Sequence, residues 1–344
     1  MIVATTLLLQ PAAPAEPPPE RQRESPMLAE VTQLTFGRDF DRAGEAYFSP
    51  DGNRLIFQAV PKGQKHYQMY VADVRRTDGR IKGLGEPERI SAEPSRNTCG
   101  WFSPDGSTIL FASTAGKEVP DEPTAGYQRE GRDYRWSYPS GMELWLLAAD
   151  GSHRALSDNK FYDAEGSFSP DGKHIVFTSN RTGDLELFAM RPDGEGVVQL
   201  THAPGYDGGP FFSPDGKKLC YRSDRNNNDL LQVYVSDLVF DAEGNITGIA
   251  NERQLTADAN VNWGPFWHPS GQWLAWSTSR HGHHNYEVYL MRADGAGESI
   301  RVTYSAGADV LPAFSPDGRH MVWSSKRTDD NTTQVFVARF RLPG

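Results

Sequence analysis

Phe48-Ser49-Pro50-Asp51-Gly52 returns along the chain as Phe102-Ser103-Pro104-Asp105-Gly106, Phe168-Ser169-Pro170-Asp171-Gly172, Phe212-Ser213-Pro214-Asp215-Gly216 and Phe314-Ser315-Pro316-Asp317-Gly318. An altered copy reads Trp267-His268-Pro269-Ser270-Gly271. A phrase recurring every few tens of residues marks a repeat architecture. Within it, Pro presets φ for a turn, Asp tolerates the next position and Gly accepts the left-handed conformation that closes it. Each copy is therefore a hairpin turn. The strand that follows is apolar throughout: Leu55-Ile56-Phe57, Ile109-Leu110-Phe111, Ile175-Val176-Phe177, Leu219-Cys220-Tyr221, Leu274-Ala275-Trp276 and Met321-Val322-Trp323. Unbroken apolar runs of this length imply sheets covered on both faces.

Every repeat adds a third strand, exemplified by Glu186-Leu187-Phe188-Ala189 and Glu287-Val288-Tyr289-Leu290. Five repeats add a fourth, ending in motifs such as Gln199-Leu200-Thr201 and Gln254-Leu255-Thr256. The sixth lacks its fourth strand, and the matching motif, Thr32-Gln33-Leu34-Thr35, stands at the front of the chain. An all-β, six-bladed propeller of four-stranded blades follows, closed by an N-terminal strand that completes the last blade and leaves no edge exposed. The propeller is expected over residues 31–344. None of the eight tryptophans precedes Asp, which argues against WD repeats.

The Ser-Pro-Asp-Gly-Lys turns, the Glu-Leu-Phe and Glu-Val-Tyr third strands and the Gln-Leu-Thr fourth strands resemble the TolB-type (PD40) propeller. This resemblance spans residues 31 to 340. In TolB itself the propeller is periplasmic, follows an α/β domain and binds the lipoprotein Pal and Tol-system partners. Only about thirty residues precede the first strand here, so a stand-alone TolB-like propeller is expected.

Residues 1–30 read as a signal-like segment and linker. Ile2 to Leu9 is apolar and is followed by Ala12-Ala13-Pro14-Ala15, similar to the end of a secretory signal, while Pro17-Pro18-Pro19 sits in a stretch unable to bury much apolar surface. A periplasmic or secreted location is expected, with no integral membrane span because no apolar run reaches the length of a spanning helix. A net charge of −10 opposes general nucleic-acid binding, which needs a basic surface. Cys99 and Cys220 fall in different repeats, which argues against a disulfide between them.

The six internal copies separate fold from site. Residues that the copies share, the turn aspartates of five of them and the Glu or Gln opening each third strand, serve the fold. Four positions before the turn Ser stand Glu45, Cys99 and Glu165 in the first three blades, against Gly209, Gly264 and Leu311 in the others. The fold is expected to close without the first three, which makes them candidate binding residues on the face where propellers place ligands near the channel. Two carboxylates there could hold a cation or share acid and base roles, or else salt-bridge arginines such as Arg42. Cys99 as a nucleophile would need a base, and His66 is the nearest in sequence.

The blade 2 loop from Ser113 to Gly141 is unusually long and carries Tyr127, Tyr134, Trp136 and Tyr138, so it is expected to form a lid or contact surface. The corresponding loop of blade 5 carries His281, His283 and His284. Their spacing matches no zinc motif, and neither metal nor cofactor is expected. Asp224 to Asp229 begins like a calcium loop but lacks the required Gly and the closing Glu. No Gly-x-Ser-x-Gly elbow, Walker loop or dinucleotide fingerprint occurs. The expected function is that of a monomeric, exported binding module that holds a protein or peptide partner at the channel mouth. The alternative is a metal-assisted lyase or hydrolase acting on a saccharide at the same face.

Overall fold

The computed structural model describes residues 25–344 except 93, 118–125, 131–132 and 227, and describes only the backbone of 126–130 and 133–137. The expected signal-like segment thus lies largely outside the described residues. Six blades form, five with their strands in sequence order from the channel outward and the sixth with the N-terminal strand outermost. The innermost strands are Phe40–Phe48, Asn97–Phe102, Asp163–Phe168, Asp207–Phe212, Asn262–Trp267 and Asp309–Phe314. Among the described residues there is no helix.

The ring closes as the repeat count requires. Leu28–Gln33 pairs with Gln334–Phe340, Gln33 opposite Phe336 and Leu28 opposite Phe340. This closing strand starts before Val31, with Met27 and Leu28 already packed on Phe340 and Phe314. Thr35 accepts a hydrogen bond from the Val335 amide at 2.8 Å. Thr201, Thr256 and Thr303 do the same for the third strands of blades 3 to 5.

The quoted phrase makes one turn six times. Ser49 Oγ donates to Asp51 at 2.6 Å and accepts from the Arg54 amide at 2.8 Å, while Gly52 takes φ +70°. In the altered copy the imidazole of His268 accepts from the Ser270 amide at 3.1 Å, and Gly271 keeps φ +69°. Next comes one large aromatic per blade, Phe57, Phe111, Phe177, Tyr221, Trp276 and Trp323, all among the most deeply buried side chains. Burial of each contributes about 1.5–3 kcal/mol.

A second repeated device caps the blades on the opposite face. Arg181, Arg225 and Arg327 pair with Asp163, Asp207 and Asp309 at 2.8 to 3.2 Å, while each guanidinium lies over aromatic rings of its own blade. Glu287 accepts from Arg301 at 2.7 Å and Thr303 at 2.5 Å. These carboxylates belong to the fold, as their repetition implies. Two hairpins are longer than the repeat suggests. The third strand of blade 1, Gln68–Thr77, also pairs with Arg80–Leu84, and in blade 4 Gln232–Phe240 pairs with Ile246–Gln254.

Candidate functional site

The position four residues before each turn Ser has one conformation throughout. Glu45, Cys99, Glu165, Gly209, Gly264 and Leu311 take φ between +46° and +58°. Strand pairing shifts register there in every blade. Each innermost strand therefore carries a bulge with a left-handed residue, a device that bends the strand and re-aims a side chain. Gly suits that conformation, whereas a residue with a Cβ is strained in it by roughly 1–3 kcal/mol.

The bulges surround a cavity of about 300 Å³ at the channel mouth. Its floor is an aromatic partition of Tyr47, Trp101, Phe211 and Phe266, with ring centroids 4.9 to 5.9 Å apart. Beyond that partition a second hollow of about 250 Å³ opens among the turn prolines. The channel is therefore not a through-pore at this level.

Glu45, Cys99 and Glu165 all line the mouth cavity, so the structure brings these three sequence-selected residues together. Their surroundings differ. Glu165 accepts four donors: Tyr206 OH and Gly209 N–H at 2.7 Å each, Thr178 OH at 2.8 Å, and Arg222 Nη2. Arg222 and Glu165 retain only 8% and 11% side-chain exposure, so their charges have little water to rely on. The Glu165 carboxylate neutralises a buried guanidinium from the next blade, a structural role that comparison of the repeats does not assign to it. Its bland alternative, a salt bridge to an arginine, is realised through Arg222 rather than Arg42.

The second strand of blade 4 supplies Arg222, and comparison of the first strands alone misses it. The residue after the buried aromatic reads Gln58, Ala112, Thr178, Arg222, Ser277 and Ser324 in the six blades. Ser324 accepts the Glu45 amide and Ser277 the Leu311 amide, both at 3.0 Å, so a small hydroxyl here holds the next blade's bulge. Arg222 breaks that pattern and reaches back to blade 3. Room for it comes from blade 4 itself: a Cβ on Gly209 would lie 2.0 Å from Arg222 Nη1, and one on Gly208 would lie 2.6 Å from Glu165 Oε2.

Glu45 has the opposite environment. It is half-buried, accepts a long 3.4 Å bond from Tyr47 OH and a bond from the Cys99 thiol, and no ion pair reaches it among the described residues. Burial pushes its carboxyl above the ordinary value, Cys99 and Arg222 oppose that push, and Glu165 adds to it. Burial also drives the Cys99 thiol well above its ordinary value, reinforced by Glu45 and Glu165. The thiolate is thus disfavoured although His66 lines the same cavity, and Cys99 has the character of a packed thiol that also bonds Thr98 at 3.1 Å.

The loop residues are placed differently. Tyr127 and Trp136 stand opposite each other in a hairpin, Gly126–Glu130 paired with Asp133–Ser137, whose side chains lie outside the described residues. Tyr138 lines the cavity, is 40% exposed and packs on Tyr162 at 5.2 Å. The histidine loop is not part of the cavity wall. His281 bonds Tyr289 OH at 2.8 Å, while His283 and His284 pack on each other. Among the described residues no group of three or more His, Cys, Asp or Glu is placed to hold a metal ion. Cys99 and Cys220 are both free.

A closed ring of six four-stranded blades with a blind cavity at one mouth defines the class as a β-propeller with a central-channel pocket. Residues 142–258 match the TolB beta propeller domain family. A structure from Agrobacterium tumefaciens assigned as TolB has the same fold, with a TM-score of 0.57 at 20% identity over 87% of this chain and 91% of that one. The oligogalacturonate lyase of Vibrio parahaemolyticus also shares it, with a TM-score of 0.51 at 12% identity over 92% and 95% of the two chains. The uncharacterized peptidase YuxL of Bacillus subtilis is 28% identical over 158 residues, which are 41% of this chain. That match spans only 22% of the relative's length.

Proposed function

We propose that this protein is an exported binding module that holds a protein or peptide partner at the channel mouth and acts as a monomer. The observation that carries the reading is the blind mouth cavity, floored by an aromatic partition and rimmed by Tyr138, into which the half-buried Glu45 projects without an ionic partner. Enclosed, mostly apolar cavities with a few polar groups are the usual form of a recognition pocket. The match of residues 142–258 to the TolB beta propeller domain family supports a protein partner and a periplasmic location, and no helix among the described residues is long and apolar enough to cross a membrane.

A second reading is an enzyme at the same cavity, a lyase or hydrolase acting on a saccharide. The observation in its favour is that two carboxylates, Glu45 and Glu165, line one cavity. Its weakness is that Glu165 is bonded on both oxygens and is not placed as a free acid or base. Chemical crosslinking of the protein in cell envelopes tests the first reading against a variant, Thr333→Trp, that adds bulk at a residue lining the cavity. A partner captured by the parent and lost in the variant supports the binding module. A partner captured equally by both, or turnover of an oligosaccharide abolished by Glu45→Gln, contradicts it.

A further inference from the structure

Resting on the binding-module reading, we infer that the group entering the mouth cavity is an organic ammonium, anchored by the Glu45 carboxylate within a wall rich in aromatic side chains. Charge and shape point the same way. Glu45 lies beside Tyr47 and Cys99, and the cavity wall adds Tyr67, Trp101, Tyr162 and Trp263. Ring faces carry negative potential and attract an ammonium within about 6 Å of the centroid, most strongly where water is excluded. A carboxylate held away from bulk water gains most from a cation that arrives with its own donors.

The other charges in the cavity do not supply that cation. Arg222 is bonded to Glu165 and Tyr206 and lies over the Tyr206 and Trp263 rings at 5.2 and 5.9 Å. Arg42 lies over the Tyr67 ring at 4.9 Å. Arg96 and His66 line the wall, but the charges that act most on Glu45 are Glu165 and Arg222. Glu165 with Arg222 forms a neutral pair, so an ionised Glu45 leaves an acceptor that an ammonium neutralises.

The same reasoning gives a pH dependence. Burial favours the protonated form of Glu45 in the empty cavity. An ammonium requires the carboxylate, so binding tightens as pH rises through the elevated Glu45 value, and the groups facing it, Tyr47, Tyr67, Cys99, Glu165 and Arg222, do not reverse that direction.

The test uses butylammonium, butyrate and butanol as probes of equal chain length, followed by tryptophan fluorescence, because Trp101 and Trp263 line the cavity. Saturable binding of butylammonium, at least about tenfold weaker in Glu45→Gln, is the expected result. Glu45→Gly, which suits the left-handed bulge, serves as a second variant and behaves likewise. Two acetylated or free tripeptides, Ac-Gly-Lys-Gly-amide and Gly-Gly-Gly-amide, distinguish a lysine side chain from a chain terminus as the source. Equal butylammonium binding by parent and Glu45→Gln, or tighter binding of butyrate or butanol, overturns the inference. A crosslinked partner lost in Thr333→Trp but kept in Glu45→Gln also overturns it, while leaving the binding-module reading in place.

Discussion

Glu45 and Glu165 hold the same place in the repeat, share a left-handed backbone at φ +46° and +58°, and line the same cavity, yet only one of them is saturated with donors. The difference originates in the second strand of the next blade, where Arg222 follows the blade of Glu165 and the small Ala112 stands at the same position after the blade of Glu45. Ser324 of the preceding blade holds only the Glu45 bulge amide, so the carboxylate is left to the cavity. Near Glu165 stands Arg222, which consumes it. Equivalent position in a repeat therefore fixes backbone geometry but not role, because a side chain's role depends on what its neighbours leave unsatisfied.

Breaking the clamp should have the largest effect. Arg222→Met leaves a buried carboxylate, and Glu165→Gln leaves a buried guanidinium, each costing about 3–5 kcal/mol in urea unfolding. The double variant Glu165→Gln with Arg222→Met should recover part of that loss, since no charge is then buried alone. Additive losses would show that the two residues do not form a coupled pair. Gly209→Ala comes next, at about 2 kcal/mol or more, because the added methyl meets both an unfavourable φ and the Arg222 side chain. A neutral Gly209→Ala would mean that Arg222 lies elsewhere in solution.

Blade 1 should respond in the opposite sense. Glu45→Gly relieves the strained bulge and should raise stability by about 1 kcal/mol while abolishing binding. Loss of stability in this variant would place Glu45 in the same structural class as Glu165. A smaller effect concerns pH. Because the folded-state value of Glu45 is raised above 4.5, its contribution to stability is complete below that value and is lost as pH rises through the folded-state value. Glu45→Gln carries no such titration, so its melting temperature should gain on the parent's as pH rises from about 4 to about 8. A pH-independent difference would show that Glu45 titrates normally.

Most of the fold is legible because the turn phrase is chemically specific: Pro50, Asp51 and Gly52 each have one job, four further copies repeat all three, and a fifth keeps the Pro and the Gly. The displaced Thr32-Gln33-Leu34-Thr35 motif gives the closure. Glu45, Cys99 and Glu165 are legible as departures from the repeat. The bulge is only half legible, since Gly209 and Gly264 hint at positive φ while Leu311 and the three candidates conceal it. Arg222 is visible only when second strands are compared past their apolar triplets, where it replaces a hydroxyl or small residue. Tyr206 repeats only Tyr162 of blade 3, so comparison of the copies does not mark it, and it acquires its role through the fold by donating to Glu165. The histidine loop shows the converse, since His281, His283 and His284 are neighbours in sequence but do not reach the cavity wall.

The most direct test places Glu45→Gln beside Glu165→Gln, measuring urea unfolding and butylammonium binding on the same preparations. The account predicts that Glu45→Gln unfolds within about 0.5 kcal/mol of the parent yet binds at least about tenfold more weakly. It predicts that Glu165→Gln unfolds about 3–5 kcal/mol more easily. Equal stability losses in the two variants, or full binding by Glu45→Gln, would contradict it.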